Sequence, residues 1–235
     1  MVGIGTLVNM GTILIGSTLG LILKKGLPDK YQETIMHGIG LSVIVIGLQM
    51  AFKTENIMVV IISLVLGSII GEACDLEGEL NNFGNWLGSR IAGKGSSSAG
   101  MIIGEGFIAA SLIYCVGAIA IVGSLQDGLT GDASTLYAKA TLDGISAIIF
   151  TANMGIGVAL SALSVGLYQG LITALAGVLE PIISAQVLAE LTATGGILIL
   201  AIGLNMLKMV KIRIANMLPA IFLAGFLAEL FAKFK

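Results

Sequence analysis

A series of long apolar stretches without charge constrains this chain more than any other feature. Five of them approach or exceed the roughly 20 residues that cross a bilayer. We predict these spans at about Ile4–Leu23, Ile35–Phe52, Asn56–Gly71, Gly155–Leu179 and Leu191–Leu207. Lipid tolerates only helices or closed barrels, and the runs are too continuous for alternating barrel strands. The spans are therefore predicted to be helices.

The composition supports a membrane protein and excludes several other classes. Only 12 Lys/Arg and 14 Asp/Glu occur in 235 residues, or 11%, against about 25% in soluble proteins. Hydrophobic residues make up 56%, and the mean hydropathy is +1.02. So few charges could not cover a soluble surface. The composition therefore excludes a soluble enzyme, a nucleic-acid binder and a disordered chain.

Three further apolar runs carry charged residues. They are Gly100–Ser124 with Glu105, Leu136–Asn153 with Lys139 and Asp143, and Ile214–Phe231 with Glu229. Together with the five uncharged runs they give an all-α polytopic protein of about eight transmembrane helices. The alternative is seven helices plus a re-entrant segment, because the apolar stretch 137–179 is interrupted only at Asn153–Gly157.

Two parts of the sequence resemble each other. Gly40–Met50 and Gly196–Met206 both read Gly, six residues, then Gly-Leu-amide-Met. Upstream of them, Ile15–Ile22 resembles Val165–Ile172. The first three spans are therefore predicted to recur as the last three.

Basic residues indicate that the two copies are inverted. They are concentrated in the first loop of the first copy and in the second loop of the second copy, namely Lys24, Lys25 and Lys30 against Lys208, Lys211 and Arg213. Cytoplasmic loops carry the excess of Lys and Arg. Inversion requires eight spans, and it predicts both termini on the outer side of a bacterial or archaeal cytoplasmic (inner) membrane.

The predicted organisation has four parts. Residues 1–71 form the first three-helix repeat, 72–100 a cytoplasmic segment, 101–154 a central helix pair and 155–235 the second, inverted repeat. In the cytoplasmic segment, apolar residues recur at helical spacing: Leu76, Leu80, Phe83, Leu87 and Ile91. This pattern predicts an amphipathic helix at the membrane interface, followed by a flexible Gly/Ser-rich linker.

An inverted repeat is typical of secondary transporters, in which two similar halves expose a central site to each side in turn. We therefore expect a transporter of a small solute, with a cation as substrate or coupling ion. The alternatives are a channel or exporter for small organic solutes such as amino acids, and a membrane scaffold that transports nothing.

Polar residues inside the apolar runs are the candidate binding residues, because charges are costly within a bilayer. Asp143 is the best candidate for an ion or proton, with Asn9 and Gln49 completing its shell on the outer side. Glu105 and Asn205, at the level of Asn153, are predicted to serve the inner side. A bound monovalent or divalent cation would suit these oxygen ligands.

Each candidate also has a purely structural interpretation. The amides could join neighbouring helices, and Glu105 could lie at the solvated interface. Asp143 could pair with Lys139 one helical turn away. The Gly-x-x-x-Gly patterns at Gly16–Gly20 and Gly166–Gly170 suit close helix packing, and a homodimer is possible.

Motifs for chemistry are lacking. One histidine, His37, and two distant cysteines, Cys74 and Cys115, cannot make a zinc site without carboxylates. We therefore expect no enzyme activity and no resident cofactor. The expected partners are the lipid bilayer and a small solute or ion, without nucleic acid.

The central part of the chain resembles the bacterial domain of unknown function 554 family. The residues that carry the resemblance are Cys115–Gly128, Thr130–Asp132, Leu136–Lys139 and Asp143–Gly144, supported by Gly3–Gly20 and Gly195–Pro219. The resemblance implies a polytopic inner-membrane protein and brings no substrate with it. It covers Asp127, Asp132, Lys139 and Asp143, which favours Asp143 over the amides as the functional residue.

Overall fold

The computed structural model describes residues 2–24, 29–80, 82, 97–181 and 183–232. Most of these residues are helical, and none of them lies in a strand. The longer helices are α1 (Ile4–Lys24), α2 (Asp29–Ala51), α3 (Ile57–Ala73), α4 (Ser97–Cys115), α5 (Ala118–Thr130), α6 (Ser134–Met154), α7 (Gly157–Ala174), α8 (Ala185–Met206) and α9 (Pro219–Ala232). Short helical turns lie at 76–80, Ala176–Leu179 and Ala215–Met217.

The helices fit a multi-pass membrane protein. Five helical stretches in the described residues are long and apolar enough to cross a bilayer, and a sixth is added if the bent pair α4–α5 counts as one span. Helix α3 is equally apolar but has only 17 residues. Helix α6 has 21 residues and carries Lys139 and Asp143. The count of eight spans stays a prediction.

The stretch 137–179 lies mostly in two helices. Helix α6 ends at Met154 and α7 begins at Gly157. The turn between them contains Gly155 with φ 79°, a left-handed conformation that glycine adopts at little cost. One helix thus ends, and the next begins, within the interruption at Asn153–Gly157.

Two predicted boundaries fall differently from the helices. Helix α4 begins at Ser97, so the last four residues of the predicted linker are helical. The predicted span Ile214–Phe231 begins with the short turn Ala215–Met217, and its α-helix, α9, begins only at Pro219, where the missing N–H of proline costs nothing. Most of the predicted amphipathic helix, residues 83–91, lies outside the described residues.

The chain packs as two compact units, each built from distant parts of the sequence. The first unit contains Met1–Gln32 and Asn81–Ile182, and the second contains Glu33–Leu80 and Ile183–Lys235. Helices α1, α4, α5, α6 and α7 belong to the first unit. Helices α3, α8 and α9 belong to the second, and so does α2 from Glu33 onward.

In the first unit, α1 and α6 pack with their backbones in close approach. A Cβ added at Gly16 would lie 2.2 Å from the carbonyl oxygen of Gly144. One turn on, a Cβ at Gly20 would lie 2.4 Å from that of Ile148. The Gly-x-x-x-Gly pattern of α1 is therefore the contact surface for α6.

In the second unit, α8 lies inside and glycines line its contact with α2. A Cβ at Gly47 would lie 2.7 Å from the carbonyl oxygen of Gly196, and a Cβ at Gly203 would lie 2.8 Å from that of Gly40. Positions rise along α2 as they fall along α8, so the two helices are antiparallel. Nearby, Val59, Val187 and Ala228 form a buried apolar cluster.

Large apolar side chains remain exposed on both units. Leu7 and Leu167 of the first unit are 66% and 68% exposed, and Phe222 of the second is 77% exposed. Exposed aliphatic and aromatic surface on this scale marks contact with a partner or a membrane. In an apolar helical chain it fits contact with lipid.

Candidate functional site

A buried ion pair lies inside the first unit. Lys139 and Asp143 are one turn apart on α6, and the lysine Nζ donates to the aspartate Oδ2. Each side chain is only 9% exposed. Asp143 lies near the middle of α6, and Lys139 lies one turn closer to its start. This ion pair is the purely structural interpretation of Asp143, which its spacing of four residues from Lys139 predicts.

Asn9 of α1 and Gln169 of α7 extend the pair into a network across three helices. The Asn9 Nδ2 donates to Asp143 Oδ2 at 2.9 Å and to Gln169 Oε1 at 3.3 Å. Both amide side chains are completely buried. The network therefore joins α1, α6 and α7 around one carboxylate oxygen.

A fourth helix reaches the network through Tyr114, near the end of α4. The Lys139 Nζ lies 6.0 Å from the centroid of its ring, a distance at which an ammonium is attracted to an aromatic face. The chain bends by 60° between α4 and α5. Gly117, with φ 149°, lies in that bend in a conformation that side chains rarely adopt. The ion pair thus lies beside a broken helix.

Several polar atoms of this region lack hydrogen-bond partners among the described residues. They are the Asn9 Oδ1, the Gln169 Nε2 and the Thr6 Oγ1. Buried polar groups in proteins are nearly always paired, and each exception calls for an explanation such as a bound molecule. An acceptor and a donor therefore remain unused within the network itself.

An open groove runs along the same two helices that hold the amides. It has a volume of about 620 Å³ and lies between α1 and α7. Thr6 and Met10 line it from α1, and Gly166 and Gly170 from α7. The groove therefore approaches the residues next to Asn9 and Gln169.

The other predicted site residues lie apart from this network or in the second unit. Glu105 is exposed on α4. The Asn153 Nδ2 donates to the Ile149 carbonyl of its own helix at 2.7 Å. In the second unit, Gln49 is exposed on α2, and the Asn205 amide bonds the main chain of Ile212 in both directions, at 2.8 and 2.9 Å. Of the six predicted residues, Asn9 and Asp143 are in contact.

Sequence reasoning missed Gln169, Tyr114 and Glu190. Gln169 is a polar residue in an otherwise apolar run, the same signal that selected Gln49. Tyr114 gave no signal, since a tyrosine in an apolar run is ordinary. Glu190 precedes the predicted span Leu191–Leu207, yet it lies in α8 and is completely buried.

Glu190 holds the α2–α3 loop of the second unit. Its Oε1 accepts from the backbone N–H groups of Glu55 and Asn56, each at 2.8 Å, and its Oε2 accepts from the Thr54 hydroxyl at 2.7 Å. Three donors compensate the burial of this carboxylate. Its geometry is that of a residue that fixes a loop.

The other end of the second unit has a more exposed polar cluster. Arg213 pairs with Glu72 at 2.6 Å, and both side chains are about half exposed, at 57% and 49%. Asn216 donates to Glu72 at 2.7 Å and accepts from the Glu77 N–H at 2.7 Å. These bonds fix the 3₁₀ turn that precedes α9.

Among the described residues, no three or more His, Cys, Asp or Glu side chains are grouped so as to hold a metal ion. Asp143, the predicted cation ligand, has a lysine and an amide beside it.

Outside the helices, Asp132 accepts a hydrogen bond from the Ser134 N–H at 3.0 Å. This bond lowers the pKa of the Asp132 carboxyl below its ordinary value.

Known proteins similar to this chain match it over nearly its whole length. Residues 4–229 match the family described as "Protein of unknown function (DUF554)". The "Uncharacterized membrane protein YdfK" of Bacillus subtilis (strain 168) is 33% identical over 221 residues, 92% of each chain. The "Uncharacterized protein YqgA" of Escherichia coli (strain K12) is 29% identical over 221 residues, 94% of each chain. No solved structure matches the chain.

Proposed function

The chain belongs to the DUF554 family, and we propose that it works as a secondary transporter of a small solute by alternating access. The observation that carries the proposal is the buried ion pair of Lys139 and Asp143 with its two amide neighbours. Each charge within a bilayer costs about 2.5–3.5 kcal/mol or more, so such residues are retained chiefly for function. The protein is proposed to move its substrate without changing it chemically.

A two-fold relationship in the second unit supports the inverted repeat. In the aligned copies, Gly40 corresponds to Gly196, and Gly47 to Gly203. The contacts observed are Gly40 with Gly203 and Gly47 with Gly196. Exchanging the two copies turns one contact into the other, as a two-fold axis does. Because α2 and α8 are antiparallel, that axis would lie in the membrane plane, as in inverted-repeat transporters.

The composition of the two units is consistent with this relationship. The second unit combines α2 and α3 of the first copy with α8 and α9 of the second. The first unit combines α1 with its counterpart α7. Two units that each take equivalent helices from both copies are the kind of bodies that move in alternating access.

The broken helix supports a binding site at the ion pair. Discontinuous helices in transporters expose backbone groups at the place where substrate binds. Here the break between α4 and α5 follows Tyr114, whose ring faces Lys139. Counting α4–α5 as one span, and adding α3 and α6, gives the eight spans that the inverted repeat needs, with both termini on the outer side.

Cation coupling, as expected from the sequence, would act through Asp143. The Lys139 ammonium now occupies the Oδ2 side of this carboxylate. A coupling proton or metal ion would have to displace that ammonium. Proton binding at Asp143 would do so directly, because it removes the negative charge that holds Lys139.

The test is the accessibility of Gln169, which needs no knowledge of the substrate. Cys74 and Cys115 are first replaced by serine, and Gln169→Cys is labelled with a membrane-impermeant thiosulfonate in right-side-out and in inside-out vesicles. An alternating site is labelled in both. Asp132→Cys, in an exposed loop, serves as a control that labels from one side only, and Leu167→Cys, on the apolar surface, as one that labels from neither.

The two rival functions predict different results. A scaffold with a sealed interior leaves Gln169→Cys unlabelled from both sides, which would overturn the proposal. A channel is labelled from both sides too, but the uptake of small solutes into vesicles then rises in proportion to their concentration. Uptake by a carrier saturates.

A further inference from the structure

We propose that the ligand of the Lys139–Asp143 site is a small zwitterion, a molecule of the amino-acid type with one ammonium and one carboxylate group. This inference rests on the proposed transport function and names its substrate class. The ligand ammonium would bind the Asp143 carboxylate, and the ligand carboxylate would bind the Lys139 ammonium. The lysine and aspartate would part to admit it.

The charge of the site selects such a ligand. Lys139 and Asp143 together have no net charge and are the charged side chains in direct contact here. A lone cation that reached Asp143 would meet the lysine, and a lone anion that reached Lys139 would meet the aspartate. A zwitterion instead replaces one ion pair by two, so no buried charge is left without a partner.

The hydrogen-bonding groups beside the pair match the same ligand. Within the network, Gln169 has a free donor, Nε2, and Asn9 has a free acceptor, Oδ1, both completely buried. A carboxylate accepts hydrogen bonds, and an ammonium donates up to three. One unused group of each kind is therefore present for each end of a zwitterion, in addition to its ionic partner.

The groove between α1 and α7 lies next to the site and opens on the apolar surface. Its volume is about 620 Å³, and the exposed Leu7 and Leu167 line it together with Thr6 and Gly170. Gly170 leaves the groove open, since a Cβ there would meet nothing within 4 Å, whereas Gly166 packs against Met10, whose Sδ a Cβ would approach to 2.5 Å. A small separation of α1 from α7 would extend it to Asn9 and Gln169.

The experiment measures thermal unfolding of the purified full chain in detergent with the standard amino acids. For a zwitterion that stabilises the protein, its amide (a cation) and its deamino acid (an anion) are tested at the same concentration. We expect a rise in Tm of roughly 5 °C at saturation for the zwitterion and no rise for either singly charged analogue.

Two double variants separate binding from folding. Lys139→Met with Asp143→Asn removes both charges together, so it leaves no unpaired charge to unfold the protein, and it should abolish the rise. Glu72→Gln with Arg213→Met removes the exposed pair of the second unit and should retain it. An equal rise with the cation or the anion alone, or a rise that survives in the first variant, would overturn the inference.

A failure here is distinguishable from a failure of the transport proposal. If no amino acid raises Tm while Gln169→Cys is labelled from both sides of the membrane, the zwitterion is wrong and transport stands. If Gln169→Cys is labelled from neither side, transport itself is wrong.

Discussion

Asn9 of α1 donates a hydrogen bond of 2.9 Å to Asp143 of α6, 134 residues further along the chain. The same amide nitrogen donates to Gln169 of α7. One side chain thus connects α1 to two helices, α6 and α7, that are distant from it in sequence. Its position explains how an apolar bundle tolerates a carboxylate near the middle of a helix, because the acid has both a cation and an amide donor beside it.

Replacing Asn9 with alanine should destabilise the protein by about 1–3 kcal/mol, since it removes a donor from the buried Asp143 and another from Gln169. Thermal unfolding in detergent measures the change. Asn153→Ala is the matched control, because among the residues that the structure describes Asn153 bonds only a carbonyl of its own helix, and its loss should cost about 0.5 kcal/mol or less. Equal losses in the two variants would mean that the Asn9 bonds contribute nothing specific.

The Lys139–Asp143 pair should behave non-additively. Lys139→Met and Asp143→Asn each leave an unpaired polar or charged partner, and each should cost about 3–5 kcal/mol. The double variant should cost less than either single one. Arg213→Met, which breaks an exposed pair, should cost about 0–1 kcal/mol. A double-mutant cycle in urea or by heat measures the coupling, and additive losses would argue against a direct interaction.

The helices were predictable from the sequence because apolar runs this long, without the alternation of barrel strands, satisfy their backbone hydrogen bonds in lipid only as helices. The contact between Asn9 and Asp143 was also predictable, since polar side chains in apolar runs avoid lipid and pair with one another inside the bundle. Gln49 and Asn205 met the same criterion yet lie elsewhere, Gln49 exposed and Asn205 bonded to Ile212. Position along a helix does not tell which face a residue occupies when every face is apolar.

The interruption of a helix was harder to place. The sequence run 100–124 contains Glu105 as its one charged residue and contains no proline, but the chain bends at Gly117. One glycine among 33 does not distinguish a bend from close packing. The contacts of residues near Gly117 are what distinguish a bend there, such as the contact of Tyr114 with Lys139.

Glycine at position 16 should be essential for the packing of α1 against α6. A Cβ there would lie 2.2 Å from the Gly144 carbonyl oxygen, so Gly16→Ala must push the helices apart and should cost about 1–3 kcal/mol. Gly11→Ala, in the same helix, meets nothing within 4 Å and should be neutral or stabilising by up to about 1 kcal/mol. Thermal unfolding of both variants checks the difference. Equal effects would contradict this packing.

Asp132 should contribute a pH dependence of stability. Its folded-state pKa is lowered by the hydrogen bond from the Ser134 N–H, so its contribution is present above the ordinary pKa of about 4 and is lost as the pH falls through the lower folded value. Between about pH 5 and about pH 3, the wild-type Tm should fall more steeply than that of Asp132→Asn. Parallel curves would show that the carboxylate does not stabilise the start of α6.

Glu190 should tolerate glutamine but not alanine. In Glu190→Gln the side-chain carbonyl can still accept from the Glu55 and Asn56 N–H groups, and the new amide can donate to the Thr54 hydroxyl, which accepts as well as donates. In Glu190→Ala three donors of the α2–α3 loop lose their acceptor inside the protein, at a cost of about 1–3 kcal/mol for each group that water cannot reach. Hydrogen exchange of the Glu55 and Asn56 amides, measured together with Tm, should speed up strongly for alanine and little for glutamine.

The control for a substitution in this loop is Glu55→Ala, because Glu55 is exposed there. If glutamine were as disruptive as alanine, the negative charge rather than the hydrogen bonds would be the essential property of residue 190.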